Sequence, residues 1–570
     1  EVLTDELATK VCAAWSEQAR ITALINRLDE LGFDVRVANK LVRVWGERAA
    51  EMLDRNPYYM LAFTSWKTAD AAAAKLAIAA DDDRRLVGAV EAFVYERLAS
   101  GHTLTPHADL ARLLGARIDG ALVDRAVALA HSTGATAGSE AIGWQAIGAA
   151  SLEQRIEARL RGSLSSEQLA LPFAPDASAT WLDDAINESE KPLGFALNEE
   201  QRAAVRMVVA SPVSLLLGGA GVGKTVVLRV IIDVMERMHH ATVQVALAGR
   251  AAKRMSEATG RPAMTIAKLL LLLKNDELEL TASTLLIVDE ASMLDLPTMY
   301  RMLHFLPSGV RLLLVGDPAQ LPPIGFGLVF HRLVDVREIP HTVLTQVHRQ
   351  HNATGIPAAA GAIRAHEVPE LGRFTGKRDG VSFIECDTES IQSVLDDLAE
   401  QWAGDDWRII CATKSGPAGI DAINERMHDR NPLATPDSEY APGDPVLHLT
   451  NDYERGLMNG TLGTVVAISD DARVTVDFEG STHTFDTGEV VERLSLAYAV
   501  SCHKAQGSQF DRVAVVVTRS RILDHSLVYT AVTRAVKQVV LVGSKPVFAE
   551  AVRNAPHAHL RRTRFFEAGA

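Results

Sequence analysis

The sequence predicts an α/β protein with two parallel-sheet domains, preceded by an all-α N-terminal region. Three observations predict this class. From about residue 195 onward, apolar strand-like segments alternate with helical segments. A glycine-rich loop stands between one such strand and the helix that follows it. Before residue 106, by contrast, helical stretches rich in Ala, Leu and charged residues dominate.

The N-terminal part is predicted to contain two helical units and a linker. Residues 1–105 hold short helices with turns at Leu31-Gly32 and Trp45-Gly46, a pattern that helix–hairpin–helix modules share with ordinary helix packing. Turn amides of such modules can hold a nucleic-acid backbone, so DNA contact and plain packing both stay open here. Residues 106–165 favour a small helical or winged-helix-like unit. The Ser, Pro, Asp and Ala content of 166–194 is typical of a linker.

The α/β part is predicted to form two domains, at 195–340 and at 341–439 with 493–550. A short hairpin is expected near 269–284, and 551–570 is expected to be a C-terminal tail. The strands predicted for the parallel sheets are Val213–Leu217, Thr242–Leu247, Thr284–Val288, Arg311–Val315, Trp407–Cys411 and Val513–Val517. Shorter antiparallel strands are predicted within a β-barrel inserted at 440–492, at Val446–Leu449, Gly463–Ile468, Arg473–Phe478 and Thr482–Asp486.

Composition narrows the class of protein. Of the 570 residues, 47% are hydrophobic, which is ample for several packed cores. No apolar run approaches the roughly 20 residues that span a bilayer, and the first residues do not resemble a signal peptide. The four cysteines lie far apart in sequence, which favours a reducing cytoplasm. The net charge of −14 argues weakly against nucleic acid but says little about a local groove. The chain begins with Glu1, which leaves a preceding segment open.

A phosphate-binding loop follows the apolar strand at Val213–Leu217. Residues 218–225 read GGAGVGKT, the pattern G-x-x-x-x-G-K-[ST] in its required strand–helix setting. Backbone amides of such a loop surround phosphate oxygens, Lys224 is expected to reach the β- and γ-phosphates, and the Thr225 hydroxyl is expected to bind magnesium. A glycine-rich turn that binds nothing is the alternative, which the eight-residue match disfavours. The residues predicted to contact the phosphates are Gly219, Ala220, Gly221, Val222, Gly223, Lys224 and Thr225.

Further candidates for nucleotide hydrolysis follow in order along the chain. Asp289 and Glu290 end an apolar strand, where Asp289 would hold magnesium through water and Glu290 would polarise the attacking water. Gln320 lies in the turn after the next strand and is placed to sense the γ-phosphate. Arg349 and Arg534 are the candidate cations for the charge that develops on the γ-phosphate. Each pattern alone is typical of surface charge, and their common order favours function.

This ordered series resembles the motifs of superfamily 1 helicases, and within these the long, stand-alone form of the RecD-like branch. The matching residues are Gln201, Gly218–Thr225, Gly249-Arg250, Asp289-Glu290, Gly316–Gln320, Arg349, His503–Ser508 and Arg534. The turns near Gly32 and Gly46 match that form's helix–hairpin–helix region. The resemblance implies two RecA-like domains that close around ATP and Mg²⁺, with Gln201 on the adenine. It also implies an SH3-like barrel for the insertion and 5′ to 3′ movement on DNA, in repair or recombination.

The same resemblance implies a DNA track across both RecA-like domains. Single-stranded DNA and single-strand/duplex junctions are the expected partners, with no membrane, and a monomer can suffice. Such a track needs donors directed at phosphates and a few stacking faces. The candidate strand contacts carried over are Arg250, Lys414, Asn451, Tyr453, His503, Lys504 and Ser508.

The chain departs from the family pattern at four places. Where the family usually has Pro-Thr before Gly249, this chain has Leu247-Ala248. Ala267 stands where the family usually has a His, and Gln509 stands where it usually has an acidic residue. The segment that often forms a strand-splitting pin is short, with a turn near Asn275. Two alternatives therefore stay open beside a helicase: a single-strand translocase that unwinds weakly, and a nucleotide-switched loader. The full hydrolytic set disfavours the loader.

Overall fold

The computed structural model describes residues 5–165, 179–346, 354–435, 438–452, 454–478 and 480–566. The chain divides into two compact units. Among the described residues, the first unit comprises 5–155, 325–327 and 561–566, and the second comprises 156–324 and 328–560. In the part of the chain described here, no helix has both the length and the apolar character needed to cross a bilayer.

The first unit is mainly helical. Its helices α1 to α8 are Asp5–Leu31, Ala38–Trp45, Ala49–Arg55, Trp66–Lys75, Asp83–Ala99, His107–Leu114, Val123–Ser132 and Ile147–Ser165, the last of which runs on into the second unit. Gly32 and Gly46 have φ angles of +87° and +56°, a region that favours glycine, and they allow the turns that end α1 and α2. Leu28 and Leu53 are fully buried in the core that these helices share.

A two-stranded antiparallel hairpin, β1 (Thr136–Ser139) and β2 (Gly143–Ala146), follows α6 and α7. Trp144 of β2 packs into the core formed by α5, α6 and α7. Two helices followed by a hairpin are compatible with the winged-helix-like unit expected for 106–165, which stays a prediction.

The first parallel sheet of the second unit has six strands, in the order β5-β4-β6-β7-β3-β8. All five of its strand pairs are parallel. The strands β3 to β8 are Val213–Gly218, Ala241–Ala246, Ala263–Thr265, Thr284–Asp289, Arg311–Gly316 and His341–Leu344. Helices α9 to α15 are Ala179–Glu190, Glu199–Ala210, Lys224–Arg237, Gly249–Thr259, Ile266–Lys274, Leu296–Phe305 and Val329–Val334. The strand ends after β3, β6 and β7 carry the predicted hydrolysis residues.

The second parallel sheet has the order β17-β11-β18-β19-β10-β9. Its strands are β9 (Gly372–Arg373), β10 (Gly380–Glu385), β11 (Trp407–Cys411), β17 (Ala499–Ser501), β18 (Phe510–Val517) and β19 (Ala535–Gly543). The accompanying helices are α16 (Ile356–Arg364), α17 (Ile391–Gln401), α18 (Ile420–Asp429), α20 (His525–Val532), α21 (Lys545–Arg553) and α22 (His557–Leu560). The predicted class of two parallel-sheet domains is confirmed, and the region before them is mainly helical, with the β1–β2 hairpin as an exception to the predicted all-α character.

Between α18 and β17 lies an antiparallel sheet of five strands, ordered β15-β14-β13-β12-β16. Its elements are β12 (Pro445–His448), β13 (Leu462–Ile468), β14 (Val474–Phe478), β15 (Ser481–Phe485), α19 (Thr487–Arg493) and β16 (Leu494–Leu496). All four predicted antiparallel strands are found. The order leaves β15 and β16 at the two edges, so closure into an SH3-like barrel stays a prediction.

Two predicted boundaries between domains shift. His341–Leu344, assigned by sequence to the second domain, is β8 and pairs in parallel with β3. β16 lies beyond the predicted end of the insertion at 492, and it pairs with β12 of the antiparallel sheet. Both segments are short, so their own sequence gives little signal, and their position depends on the strand they pair with.

Three segments, predicted as a linker, a hairpin and a tail, differ from the prediction. Within the predicted linker, α9 buries Ile186 in the core of the first parallel sheet, whereas residues 166–178 lie outside the described part. The hairpin expected near 269–284 differs too: α13 runs to Lys274, and residues 275–283 form a turn without strands. Thr265 caps α13 by accepting the Lys268 amide, which favours the helix. In the predicted tail, α21 and α22 precede an extended end in which Phe565 is fully buried.

Candidate active site

The glycine-rich loop forms a tight turn between β3 and α11. Every residue of β3 is buried, and α11 begins at Lys224. Gly221 and Gly223 have φ angles of +81° and +84°, where any other residue would be strained. The turn thereby brings free backbone amides to the N-terminus of a helix, where an anion is favoured.

The Lys224 ammonium lies inside this turn. Its Nζ donates hydrogen bonds to the carbonyl oxygens of Gly218 and Gly219, at 2.6 and 2.9 Å. A mobile ammonium held by carbonyls of the loop itself can exchange them for phosphate oxygens, which are the stronger, charged acceptors. The position therefore suits the predicted role at the β- and γ-phosphates.

Two carboxylates end β6 beside this loop. The Oδ1 atom of Asp289 accepts the Glu290 amide at 2.8 Å. Burial, reinforced by the neighbouring Glu290 charge, raises the pKa of Asp289, while Lys224 acts in the opposite direction. Glu290 has a φ of +54°, a conformation that costs a non-glycine residue energy and is frequent at functional sites.

The site around Asp289 suits Mg²⁺ rather than a metal ion that is bound by protein side chains alone. Among the residues described, no three His, Cys, Asp or Glu side chains group into a metal site. Thr225 and Asp289 both line the same cleft and offer oxygen ligands. Mg²⁺ is usually held by one or two such oxygens together with waters and substrate phosphates, so these two residues fit the ion.

Gln320 and Arg534 reach the cleft from opposite sheets. Gln320 follows β7 and is 5% exposed, and within the described residues its Oε1 atom has no hydrogen-bond partner. Arg534, also 5% exposed, precedes β19 and donates to the Thr530 carbonyl at 3.0 Å and the Thr533 hydroxyl at 3.1 Å. A buried acceptor and a buried guanidinium on one cleft are suited to a polar, anionic ligand.

The cleft has a volume of about 710 Å³ and lies between the two parallel sheets. It brings together most of the residues predicted for nucleotide binding. Those that line it are Gly219, Ala220, Gly221, Gly223, Lys224, Thr225, Asp289, Glu290, Gln320 and Arg534. Val222 points instead toward the core of the first parallel sheet.

Besides Val222, two predicted residues are not among those lining the cleft. Gln201 takes part in a capping box at the start of α10, where its Oε1 accepts the Asn198 amide at 3.0 Å. Its contact with adenine therefore stays a prediction. Arg349 lies outside the described residues.

Three residues that sequence reasoning did not assign to the site join the two sheets beside the loop. The Tyr529 hydroxyl donates to Asp317 at 2.7 Å, and the Arg364 guanidinium lies 3.3 Å from the other oxygen of that carboxylate. A Cβ on Gly219 would come within 2.6 Å of Arg364 and 2.9 Å of Tyr529. A side chain at position 219 would therefore have to displace the ends of these two side chains. Asp317 lies within the matching segment Gly316–Gln320, and Tyr529 lies shortly before the matching residue Arg534. Nothing in the sequence indicates that Asp317 and Tyr529 contact each other.

The predicted strand contacts cluster at a second place, where α12 faces the segment after β17. Arg250 donates to the Ser508 hydroxyl at 2.8 Å, across the two sheets. A cavity of about 330 Å³ adjoins this pair and is lined also by Lys253 and Arg254. Burial, reinforced by the nearby charge of Lys414, lowers the pKa of Lys504. The cavity is thus lined by donors that suit a phosphate and by one carboxylate, that of Glu257.

The remaining predicted contacts differ in their surroundings. Asn451 lies in the loop between β12 and β13, where its Oδ1 accepts the Asn459 amide at 2.9 Å. Met458 of that loop packs so closely on Gly249 that a Cβ there would lie 2.3 Å from it, which brings the insertion beside α12. His503 is half-buried beside Lys504. Tyr453 lies outside the described residues.

Three protein families match separate parts of the chain. Residues 17–104 match the helix–hairpin–helix (HHH) domain of the ATP-dependent RecD2 DNA helicase. Residues 196–385 match an AAA domain, and residues 496–542 match the UvrD-like helicase C-terminal domain. The two latter matches cover the strands and loops that form the cleft.

Two relatives of known sequence agree with these matches. The ATP-dependent RecD2 DNA helicase of Deinococcus radiodurans is 31% identical over 563 residues, which cover 95% of this chain and 77% of that protein. The RecBCD enzyme subunit RecD of Mycolicibacterium smegmatis is 31% identical over 424 residues, covering 65% and 76%. The crystal structure of Bacteroides Pif1 bound to ssDNA aligns with a TM-score of 0.42 at 22% identity, covering 64% of this chain and 96% of that one.

A cleft with a phosphate loop, two carboxylates and an arginine from the opposite sheet is shared with nucleotide-driven motors generally, and so does not distinguish among their families. The helix–hairpin–helix match and the extent of the Deinococcus radiodurans alignment supply that distinction. This chain belongs to the RecD-like family of superfamily 1 ATP-dependent DNA helicases, in the RecD2 form with an N-terminal helix–hairpin–helix region.

Proposed function

We propose that this protein hydrolyses ATP to move 5′ to 3′ along single-stranded DNA and to separate duplex DNA ahead of it, in DNA repair or recombination. The observation that carries the proposal is the cleft between the two parallel sheets. Lys224, Glu290 and Gln320 line it from the first sheet, and Arg534 from the second. Since ATP would bind both sheets, its hydrolysis would change how they are held together.

The residues divide the work of hydrolysis among them. Loop amides and Lys224 bind the phosphates, and Glu290 orients and deprotonates the attacking water. Arg534 stabilises the charge on the transferred phosphoryl group, and Gln320 reports its presence through the turn that also carries Asp317. Thr225 and Asp289 would hold Mg²⁺, which would supply positive charge against the phosphates.

Movement along DNA would come from alternating grip on the strand. Arg250 and Ser508 lie on opposite sheets and contact each other directly at 2.8 Å. A phosphate that enters between them would replace this contact with two bonds to one strand. Closing and opening of the sheets around ATP would then shift one grip relative to the other.

Two partial duplexes test this proposal, one with a 5′ single-stranded tail and one with a 3′ tail. We expect ATP-dependent opening of the 5′-tailed duplex only, with ATP turnover stimulated by either substrate. Opening of the 3′-tailed duplex alone would contradict the polarity. Absence of DNA-stimulated turnover would contradict the whole proposal.

A translocase that unwinds weakly is the second candidate. It is favoured by residues 275–283, which form a turn without strands where a strand-splitting pin is expected. For such a translocase we expect DNA-stimulated ATP turnover and displacement of a bound protein from single strands, without opening of either duplex.

Substitution of the loop lysine tests the assignment of the nucleotide site. Lys224→Ala removes the ammonium that would bind the phosphates, so we expect ATP turnover to be abolished while single-strand binding stays measurable. Lys274→Ala, at the exposed end of α13, removes the same charge elsewhere and is the control. Turnover that survives Lys224→Ala would show that the loop is not the phosphate site.

A further inference from the structure

The last described segment of the chain forms part of the first unit. Thr103 and Leu104 donate their amides to the Arg562 carbonyl at 2.9 and 3.0 Å, and the Arg562 amide donates to Nδ1 of His102 at 3.1 Å. Phe565 is fully buried in the same unit. The segment 561–566 is therefore fixed against residues 102–104 by backbone bonds, and its side chains have defined neighbours.

This arrangement concentrates arginine side chains, which we term the arginine cluster: Arg97, Arg112, Arg561 and Arg562. Arg112 and Arg562 share one carboxylate, Asp109, at 3.9 and 3.8 Å, which is long for a charge-assisted hydrogen bond. Both guanidinium groups are largely exposed, at 69% and 54%. Their charge is thus only partly neutralised within the cluster.

The hydrogen-bond partner of Arg97 is uncharged. Its Nη2 lies 2.8 Å from Nδ1 of His102, and its Nε is buried without a hydrogen-bond partner among the described residues. Burial and the charges of Arg97, Arg561 and Arg562 lower the pKa of His102 to about 4, so the ring is uncharged at neutral pH. A neutral acceptor holds Arg97 in place and leaves the positive charge of the cluster intact.

We propose that the arginine cluster binds backbone phosphates of DNA, as a contact additional to the track on the motor domains. Guanidinium groups present forked donors that match phosphate geometry. Although the chain as a whole has a net charge of −14, the local excess of arginines in the cluster attracts an anion. DNA is the anion available to a helicase, so the inference rests on the proposed function. The site exists only where the chain's last segment meets residues 97–112.

The test is DNA affinity of the double variant Arg112→Ala/Arg562→Ala, measured by fluorescence anisotropy on a tailed duplex over a range of salt. Both side chains are exposed and neither holds a backbone group, so folding is expected to be kept. We expect about a tenfold loss of affinity at low salt. The plot of log affinity against log salt should become shallower by about 0.9 for each duplex phosphate that the variant no longer binds, or about 0.7 on single strands.

A matched control removes two arginines from the same unit. Arg36→Ala/Arg125→Ala deletes exposed guanidinium groups that each pair with their own carboxylate, Asp34 at 2.7 Å and Asp83 at 2.5 Å. We expect wild-type affinity and salt slope for this control. Equal losses in both double variants would overturn the site, because they would reflect net charge alone.

Two further measurements separate the remaining outcomes. ATP turnover saturated with a short single strand reports on the motor alone, and we expect it to be unchanged in the cluster variant. If the wild-type protein shows no such stimulated turnover, the proposed function fails instead. If the cluster variant loses binding to polyglutamate but keeps its DNA affinity, the cluster serves an acidic protein partner and the phosphate proposal is overturned.

Discussion

Arg534 is held rigidly at the cleft by its own helix end. Its bonds to Thr530 and Thr533, both from the last turn of α20 and the residue after it, fix the guanidinium before any ligand binds. Such preorganised charge stabilises a transition state without reorganisation during the reaction. We propose that this arginine favours hydrolysis more than binding.

We expect Arg534→Ala to retain ATP binding and to lose most hydrolysis. An arginine at the developing phosphoryl charge is worth about a thousandfold or more in turnover. The measurements are affinity for a fluorescent ATP analogue and ATP turnover on saturating single strands. Loss of binding together with hydrolysis would indicate that this arginine is structural.

His102 gives the first unit a dependence on pH. Its pKa is lowered to about 4 in the folded protein, mainly by burial, whereas an unfolded histidine titrates near its usual value of about 6.5. The unfolded chain therefore takes up the proton first as the pH falls. The stability linked to the neutral ring is complete above about pH 6.5 and is lost between there and about pH 4.

We expect His102→Asn to reduce this dependence. The Asn side-chain oxygen can replace Nδ1 as the acceptor for Arg97 and for the Arg562 amide, and it does not titrate. Thermal unfolding at pH 7 and pH 5 measures the effect. The wild-type midpoint should fall more than that of the variant, and parallel falls would contradict the role of His102.

At the scale of elements, the turn after β7 and helix α20 form one connection across the cleft. Asp317 of the turn accepts the Tyr529 hydroxyl of α20, and the Thr530 hydroxyl of α20 accepts the Leu321 amide at 3.1 Å. Burial, with the Asp317 carboxylate beside it, raises the pKa of Tyr529, so its proton stays on the phenol. The turn that carries Gln320 and the helix before Arg534 can therefore move together.

A double-mutant cycle on Tyr529→Phe and Asp317→Ala tests this connection. We expect each single change to lower ATP turnover with little change in ATP affinity. Because the two substitutions remove the same contact, the double variant should be no slower than the slower single variant. This corresponds to a coupling energy of about 1 kcal/mol between the two residues. Effects that multiply would show that the two residues act independently.

At the scale of the whole molecule, the chain's last segment completes the core of the first unit. Phe565 is fully buried, and Thr563 donates at 2.7 Å to Glu153, which also accepts from Gln145. A buried carboxylate with several donors is stable only while those donors remain in place. Thr563 thus joins a hydrogen-bond network with residues from much earlier in the sequence.

We expect Phe565→Ala to destabilise this unit by about 3–5 kcal/mol, since it removes a buried aromatic ring. Phe63→Ala is the control within the same unit, because Phe63 is 43% exposed. The unfolding midpoint of each variant is measured by heating the protein and detecting the unfolding of the first unit by limited proteolysis. Equal midpoints for the two variants would show that 561–566 is not part of the core.

The sequence by itself determined the local chemistry of this protein. The phosphate loop, the carboxylates after β6 and Gln320 after β7 each lie within one strand and its following turn, where short-range pattern and geometry decide the structure. For the same reason all six predicted parallel strands and all four antiparallel ones are present. Their apolar pattern is contained within each segment.

Only the tertiary structure decided which distant residues meet. Arg364 and Tyr529 contact Asp317, α9 packs on the first parallel sheet, and Arg562 joins Arg97 and Arg112. No short-range pattern encodes these pairs, because their contact depends on how whole elements pack. The sequence therefore predicted which residues single turns carry, and packing across many residues decided how those turns combine into a cleft and a cluster.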